Sequence, residues 1–170
     1  MKNEIKELKA ELLKVFSKFE ENECEPKEGE WYWSNDYNSK YLLLFNEKVE
    51  HGYRSKVHFC EEQFSNISGL FTSISRKATN SEVTEAFTKH FRKQGWVSGK
   101  TKFKSVLTGT EHTYREPLLL SLSGDVFCDF TGYLFSAKSL ALATKIEDEK
   151  IIVDGKEVKI LDKRTFKIGD

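Results

Sequence analysis

The stretch Thr79-Asn80-Ser81-Glu82-Val83-Thr84-Glu85-Ala86-Phe87-Thr88-Lys89-His90-Phe91-Arg92-Lys93-Gln94-Gly95-Trp96 carries start, stripe and stop signals of one helix. Thr79 followed by Glu82 has the spacing of a capping box, with Asn80 and Ser81 as alternative caps. Val83, Ala86, Phe87, His90 and Phe91 recur at helical spacing, and Gly95 supplies the stop. The spacing predicts a helix over about 81–94 that buries Phe87 and Phe91 and leaves Lys89, Arg92 and Lys93 on an exposed face.

Upstream, Ile5, Leu8, Leu12, Phe16 and Phe19 give a second apolar stripe, so a helix is expected over about 3–20. Phe64, Ile67, Phe71 and Ile74 also stand three or four residues apart and predict a third helix over about 61–75. Between these lie extended runs: Trp31-Tyr32-Trp33, Lys40 to Phe45, and Lys56 to Phe59. Downstream, Leu118 to Leu122, Val126 to Phe135 and Leu140 to Ile146 read as strands. Ile151 to Val153 and Val158 to Leu161 pair across Asp154-Gly155, a strong hairpin signal. The order predicts an α+β fold in a single domain over 1–170, with about three helices and a mixed or mainly antiparallel sheet of roughly six strands.

With 170 residues, 38% hydrophobic and two prolines, the chain can build one core and is neither disordered nor fibrous. No run is apolar and long enough for a membrane helix, and the amphipathic beginning differs from a signal region, so no membrane partner is expected. Three cysteines, widely separated and without histidines at zinc spacing, give neither a disulfide framework nor a zinc site; a reducing cytoplasm fits best.

The 27 basic and 27 acidic side chains balance, so attraction for a polyanion must be local. Between Thr72 and Thr110 eight lysines and arginines face only Glu82 and Glu85. Lys89, Arg92 and Lys93 on the helix, and Lys100, Lys102 and Lys104 sharing one face of a strand, form a basic surface for DNA or RNA phosphates. Trp96 or Phe103 would stack on a base or anchor the loop. A solvated helix face and a lysine-rich strand edge account for the same residues.

The segment Glu85-Ala86-Phe87 through Gln94-Gly95-Trp96 with the basic strand after it resembles the region ahead of the catalytic strands in restriction endonucleases of the BglII type. Residues 82–104 and 125–140 carry this resemblance, and Cys128-Asp129-Phe130-Thr131-Gly132-Tyr133-Leu134-Phe135 is similar to the family's catalytic-strand rhythm. The resemblance implies a Mg²⁺-dependent endonuclease, a hydrolase in which paired carboxylates hold the cofactor. The family's catalytic glutamate would fall near Phe127, which cannot bind a metal. A relocated site would use Asp125, Asp129, Asp148 and Lys150 as catalytic residues, with Asp129 and Asp148 as the metal ligands and Lys150 orienting the attacking water.

The alternative reading is a non-catalytic inhibitor or immunity protein of a bacterial or phage conflict system. It would meet a basic protein partner through the acidic Glu20 to Glu30 segment and the aromatics Trp31 to Trp33. Among the four histidines, His112 with Glu111, Tyr114 and Arg115 forms the only polar cluster with both acid and base capability, or else a surface turn.

Overall fold

The protein, seen in a computed structural model, is described for residues 25–36, 38–146, 150–153 and 156–159, the last two stretches by strand pairing alone. The expected helix over 3–20 lies outside the described residues.

Trp31–Asp36 forms β1, Ser39–Val49 forms β2 and Gly52–Cys60 forms β3. Gln63–Ser65 is β4, Leu70–Phe71 is β5 and Arg76–Lys77 is β6. Together they make a six-stranded sheet in the order β4-β3-β2-β1-β6, with β5 also paired to β3. Every pairing in it is antiparallel.

The unbroken apolar run Tyr41 to Phe45 marks β2 as a strand covered on both faces. Register places Trp31 opposite Leu44, and Leu44 opposite Val57, on one face. Tyr32 stands opposite Leu43 on the other. The first face, with Trp31, Leu42, Leu44, Val57 and Phe59, joins the main core; the second packs Tyr32, Leu43 and Phe45 around Phe71.

The helix α1, Asn80–Lys93, covers the main face. Its capping box is formed: the Glu82 amide donates to Thr79 Oγ1 at 3.3 Å, and the Thr79 amide donates to Glu82 Oε2 at 2.9 Å. At the other end the Gly95 amide donates to the Arg92 carbonyl and the Trp96 amide to the Phe91 carbonyl, a Schellman arrangement. Gly95 holds a φ of 72°, which a residue with a Cβ adopts at a cost. The apolar contact that accompanies this ending is Phe91 against Trp96, 4.6 Å between ring centroids.

The expectation of about three helices is overturned, because the described residues are mostly sheet with α1 as their single helix. Residues 61–75 form β4, a loop and β5. Phe64 and Phe71 mimic a helical stripe but go to opposite faces of the sheet, Phe64 to the main core and Phe71 to the smaller cluster, while Ile67 is exposed. Serines and Gly69 are weak helix formers, and the open edge of β3 offers their backbone partners instead. The Ser55 amide donates to the Gly69 carbonyl at 2.9 Å, and the Gly69 amide to Ser55 Oγ at 3.1 Å.

After α1 the chain makes short elements. Lys102–Lys104 is β7 and Glu111–Thr113 is β8, a two-stranded ribbon. Leu119–Leu120, Val126–Phe127 and Tyr133–Phe135 are β9, β10 and β11 of a three-stranded antiparallel sheet. Lys150–Val153 (β12) and Lys156–Lys159 (β13) pair antiparallel with Val153 opposite Lys156.

Glu82 is held well below the ordinary carboxylate range, first by the Arg76 guanidinium and then by the Thr79 amide, with burial opposing. Arg76 grips it with both terminal nitrogens, at 2.9 and 2.5 Å. Its stabilising effect is therefore present above the unfolded glutamate value of about 4.3 and is lost as pH falls toward the lowered folded value. Urea unfolding should show Glu82→Gln less stable than the parent at neutral pH, with the difference shrinking below about pH 4. Thr79→Ala should cost about 1 kcal/mol and Phe87→Ala roughly 3–5 kcal/mol in the same assay.

Candidate functional site

The residues expected to bind nucleic acid separate into three groups. Lys89, Arg92 and Lys93 are exposed on α1 opposite the buried Phe87 and Phe91, but each meets a carboxylate. Lys89 pairs with Glu85 at 2.9 Å and Lys93 with Glu62 at 3.7 Å; Arg92 forks onto Glu116, its Nε 3.0 Å from Oε1. The Arg92 guanidinium holds Glu116 below its usual range, against the opposing effect of burial. Lys100 and Lys104 are exposed with no carboxylate partner among the described residues, and Lys102 meets Glu111 at 3.1 Å across the ribbon. Surface pairs of this kind are worth only about 0–1 kcal/mol and yield readily to a phosphate.

Trp96 forms the third group. Only 5% of its surface is exposed, and it is enclosed by Phe91, Phe103 and Tyr114, so it anchors the core and offers no face to a base.

The expected carboxylates are engaged in turns. Asp125 accepts from the Ala137 amide at 2.8 Å and from Ser123 Oγ at 2.6 Å. Asp129 Oδ1 accepts from the Gly132 amide at 2.6 Å and the Thr131 amide at 3.2 Å. Val126 to Phe135 is therefore not one strand: Asp129 folds residues 128–132 into a tight turn between β10 and β11. A Cβ on residue 132 would stand 2.7 Å from Asp129 Oδ1, so a larger residue there would displace the carboxylate from its turn amides. Asp148 lies outside the described residues, and Lys150 is seen only as the first residue of β12, opposite Lys159. Among the described residues no three histidine, cysteine or carboxylate side chains gather as a metal site. Among the described residues neither Asp125 nor Asp129 has a companion carboxylate, and the expected partner Asp148 is not one of them.

Part of the surface expected to meet a basic protein is engaged within the chain. Trp31 and Tyr32 are buried, and Trp33 is half-buried beneath Lys40 Nζ at 4.2 Å from its ring centroid. Glu28 pairs with Lys56 and Glu30 with Lys77, each at 2.7 Å. Glu20, Glu21 and Glu23 lie outside the described residues.

What the structure does assemble is at one end of the β7–β8 ribbon. His112 stands opposite Phe103 in register and packs against its ring, 5.8 Å between centroids. Its Nδ1 is 3.4 Å from Asp129 Oδ1, and its Nε2 is 2.8 Å from Thr110 Oγ1. Thr110 Oγ1 is in turn 2.5 Å from Thr108 Oγ1. The Val106 amide donates to the Tyr133 carbonyl at 3.0 Å and the Tyr133 amide to Ser105 Oγ at 3.3 Å, which joins the ribbon's turn to the Asp129 turn. Burial acts to raise Asp129, but the Thr131 and Gly132 amides and His112 together bring it below its ordinary value.

No family model matches the chain, and no curated protein or solved structure is significantly similar to it. The BglII-type resemblance thus rests on its quoted residues alone.

Two apolar side chains crown the two joined turns. Phe130 is 93% exposed at the tip of the Asp129 turn, and Leu107 is 50% exposed in the turn of the ribbon. The sequence reading passed over both, and also Thr110. The signals were present: Asp129-Phe130-Thr131-Gly132 has the composition of an Asp-anchored turn, and Thr108, Thr110 and His112 alternate as same-face residues of an extended segment.

Phe130→Ala should change stability by less than about 0.5 kcal/mol, since an exposed ring loses no packing. Asp129→Ala, which leaves two turn amides without their acceptor, should cost roughly 1–3 kcal/mol. Thermal and urea unfolding of the two variants would check the contrast.

Proposed function

We propose that the protein is a nucleic-acid-binding module that takes single strands through the β7–β8 ribbon and the adjoining Asp129 turn. The observation that carries this reading is Phe130, an aromatic ring almost fully in solvent on a turn locked by three contacts to one carboxylate. Water exposure of a phenyl ring is unfavourable unless a partner covers it, and a rigid ring offers a stacking platform at little entropic cost. Lys100, Lys102 and Lys104 lead into the same ribbon, with Lys104 next to Ser105, whose hydroxyl bonds the Tyr133 amide. Ammonium groups there would neutralise phosphates while the ring stacks on a base. The α1 cations, each with its own carboxylate, contribute less, and no cleavage step is included.

A protein partner is the second reading, favoured by Leu107 at 50% and Leu122 at 107% exposure, since aliphatic side chains stack poorly on bases but fill pockets. A single titration separates the two. Fluorescence anisotropy with labelled single-stranded DNA and RNA should give binding whose logarithm falls linearly with log salt. Lys100→Ala with Lys104→Ala should flatten that slope by about 0.7 per lost phosphate contact. Phe130→Ala should cost roughly 1–3 kcal/mol of affinity with the slope unchanged. Absence of binding at low salt would leave the protein-partner reading.

A further inference from the structure

Asp129, His112, Thr110 and Thr108 form a polar chain that one imidazole tautomer orders in a single direction. An ionised carboxylate only accepts, so the tautomer that complements Asp129 Oδ1, 3.4 Å away, carries the imidazole proton on Nδ1. In that tautomer Nε2 is a bare lone pair, and the Thr110 hydroxyl, 2.8 Å away, donates to it. That leaves a Thr110 oxygen lone pair to accept from Thr108 Oγ1. The chain runs in one direction, from a hydroxyl through an imidazole to a carboxylate. Two of its members are anchored: Asp129 by the amides of Thr131 and Gly132, and the imidazole by the Phe103 ring. Thr110 itself is exposed, while the His112 side chain keeps only 15% of its surface in solvent. A base within hydrogen-bond reach of a hydroxyl, oriented by a third group, is the arrangement that activates a nucleophile.

We propose that Thr110 is a nucleophilic hydroxyl, with His112 as its base and Asp129 as the positioning residue, that takes the acyl group of carboxylic esters with small apolar acyl chains. Thr110 Oγ1 attacks the ester carbonyl carbon as its proton passes to His112 Nε2. The tetrahedral adduct collapses, the carbon–oxygen bond to the leaving group breaks, and that group departs as an alcohol with the proton from Nε2. A water molecule then gives a proton to Nε2 and attacks the acyl carbon, releasing the carboxylic acid and restoring the Thr110 hydroxyl. Leu107 and Phe130, exposed on the two joined turns, offer apolar surface for the acyl chain. This activity shares the Asp129 turn and Phe130 with the nucleic-acid reading but does not rest on it, since that binding needs neither Thr110 nor His112.

p-Nitrophenyl acetate is the probe, with p-nitrophenolate release followed by absorbance and the acetylated residue located by peptide mass mapping. Acetylation is expected at Thr110 ahead of every other hydroxyl. Thr110→Ala should abolish it and Thr110→Ser should retain it. His112→Ala should slow it by about 10²-fold or more, the range of a positioned base. Free imidazole added to His112→Ala should restore part of the Thr110 acetylation read by mass mapping, a readout that imidazole's own release of p-nitrophenolate does not move. Asp129→Asn keeps an oxygen acceptor for the turn amides and should lower the rate, with an unfolding curve close to the parent's. Two results would overturn the proposal: acetylation of Thr110 no faster than that of Thr108, or a His112→Ala variant that is folded and undiminished.

Discussion

Phe87 meets five aromatic rings drawn from separate parts of the chain, and the rest of the architecture depends on that cluster. It stands 5.6 Å from Trp31 on β1, 4.9 Å from Phe59 on β3, 5.9 Å from Phe64 on β4 and 5.2 Å from Phe135 on β11, besides Phe91 on its own helix. One ring therefore joins the large sheet, the helix and the C-terminal half, and the core is continuous through all three. Edge-on and tilted ring pairs add roughly 0.5–1.5 kcal/mol each beyond area burial, and they also fix angles, so the helix has one seat on the sheet.

With the helix seated, its Schellman ending delivers Trp96 back into the core beside Phe103 and Tyr114. That contact places the β7–β8 ribbon, and the ribbon's turn places the Asp129 turn through the Ser105, Val106 and Tyr133 bonds. The polar chain of Asp129, His112 and Thr110 is thus held by a sequence of packed rings and backbone bonds leading from the core. Short strands of two or three residues carry little stability of their own, so side-chain anchors such as Asp125 and Asp129 replace the missing ladder bonds.

The same economy explains the charges. A net-neutral chain with 32% charged residues folds so that cations meet carboxylates distant in sequence, as Arg92 meets Glu116 and Lys56 meets Glu28. Lys100 and Lys104 stand apart from this pattern, and this leaves the positive charge of the ribbon available to a partner. The basic block read along the chain is real as composition, but pairing in space concentrates its usable charge on one ribbon.

Local chemistry determined by sequence alone is found where the interactions span few residues. The α1 caps, its buried Phe87 and Phe91 and the exposure of Lys89, Arg92 and Lys93 follow from spacing, because a helix satisfies its own backbone. The strands at Trp31, Tyr41 and Val57 were legible for the same kind of reason, their aromatic and β-branched runs suiting a covered sheet. Tertiary structure alone decided the rest. Residues 61–75 carry a helical period yet pair with β3, since the open sheet edge outcompetes a weak serine-rich helix. Whether Trp96 or Phe130 faced solvent was not encoded in residue type, because burial depends on what lies opposite. The meeting of His112 with Asp129 is beyond any local pattern: two short strands and two turns must first be placed by the aromatic core before a carboxylate seventeen positions away can reach an imidazole.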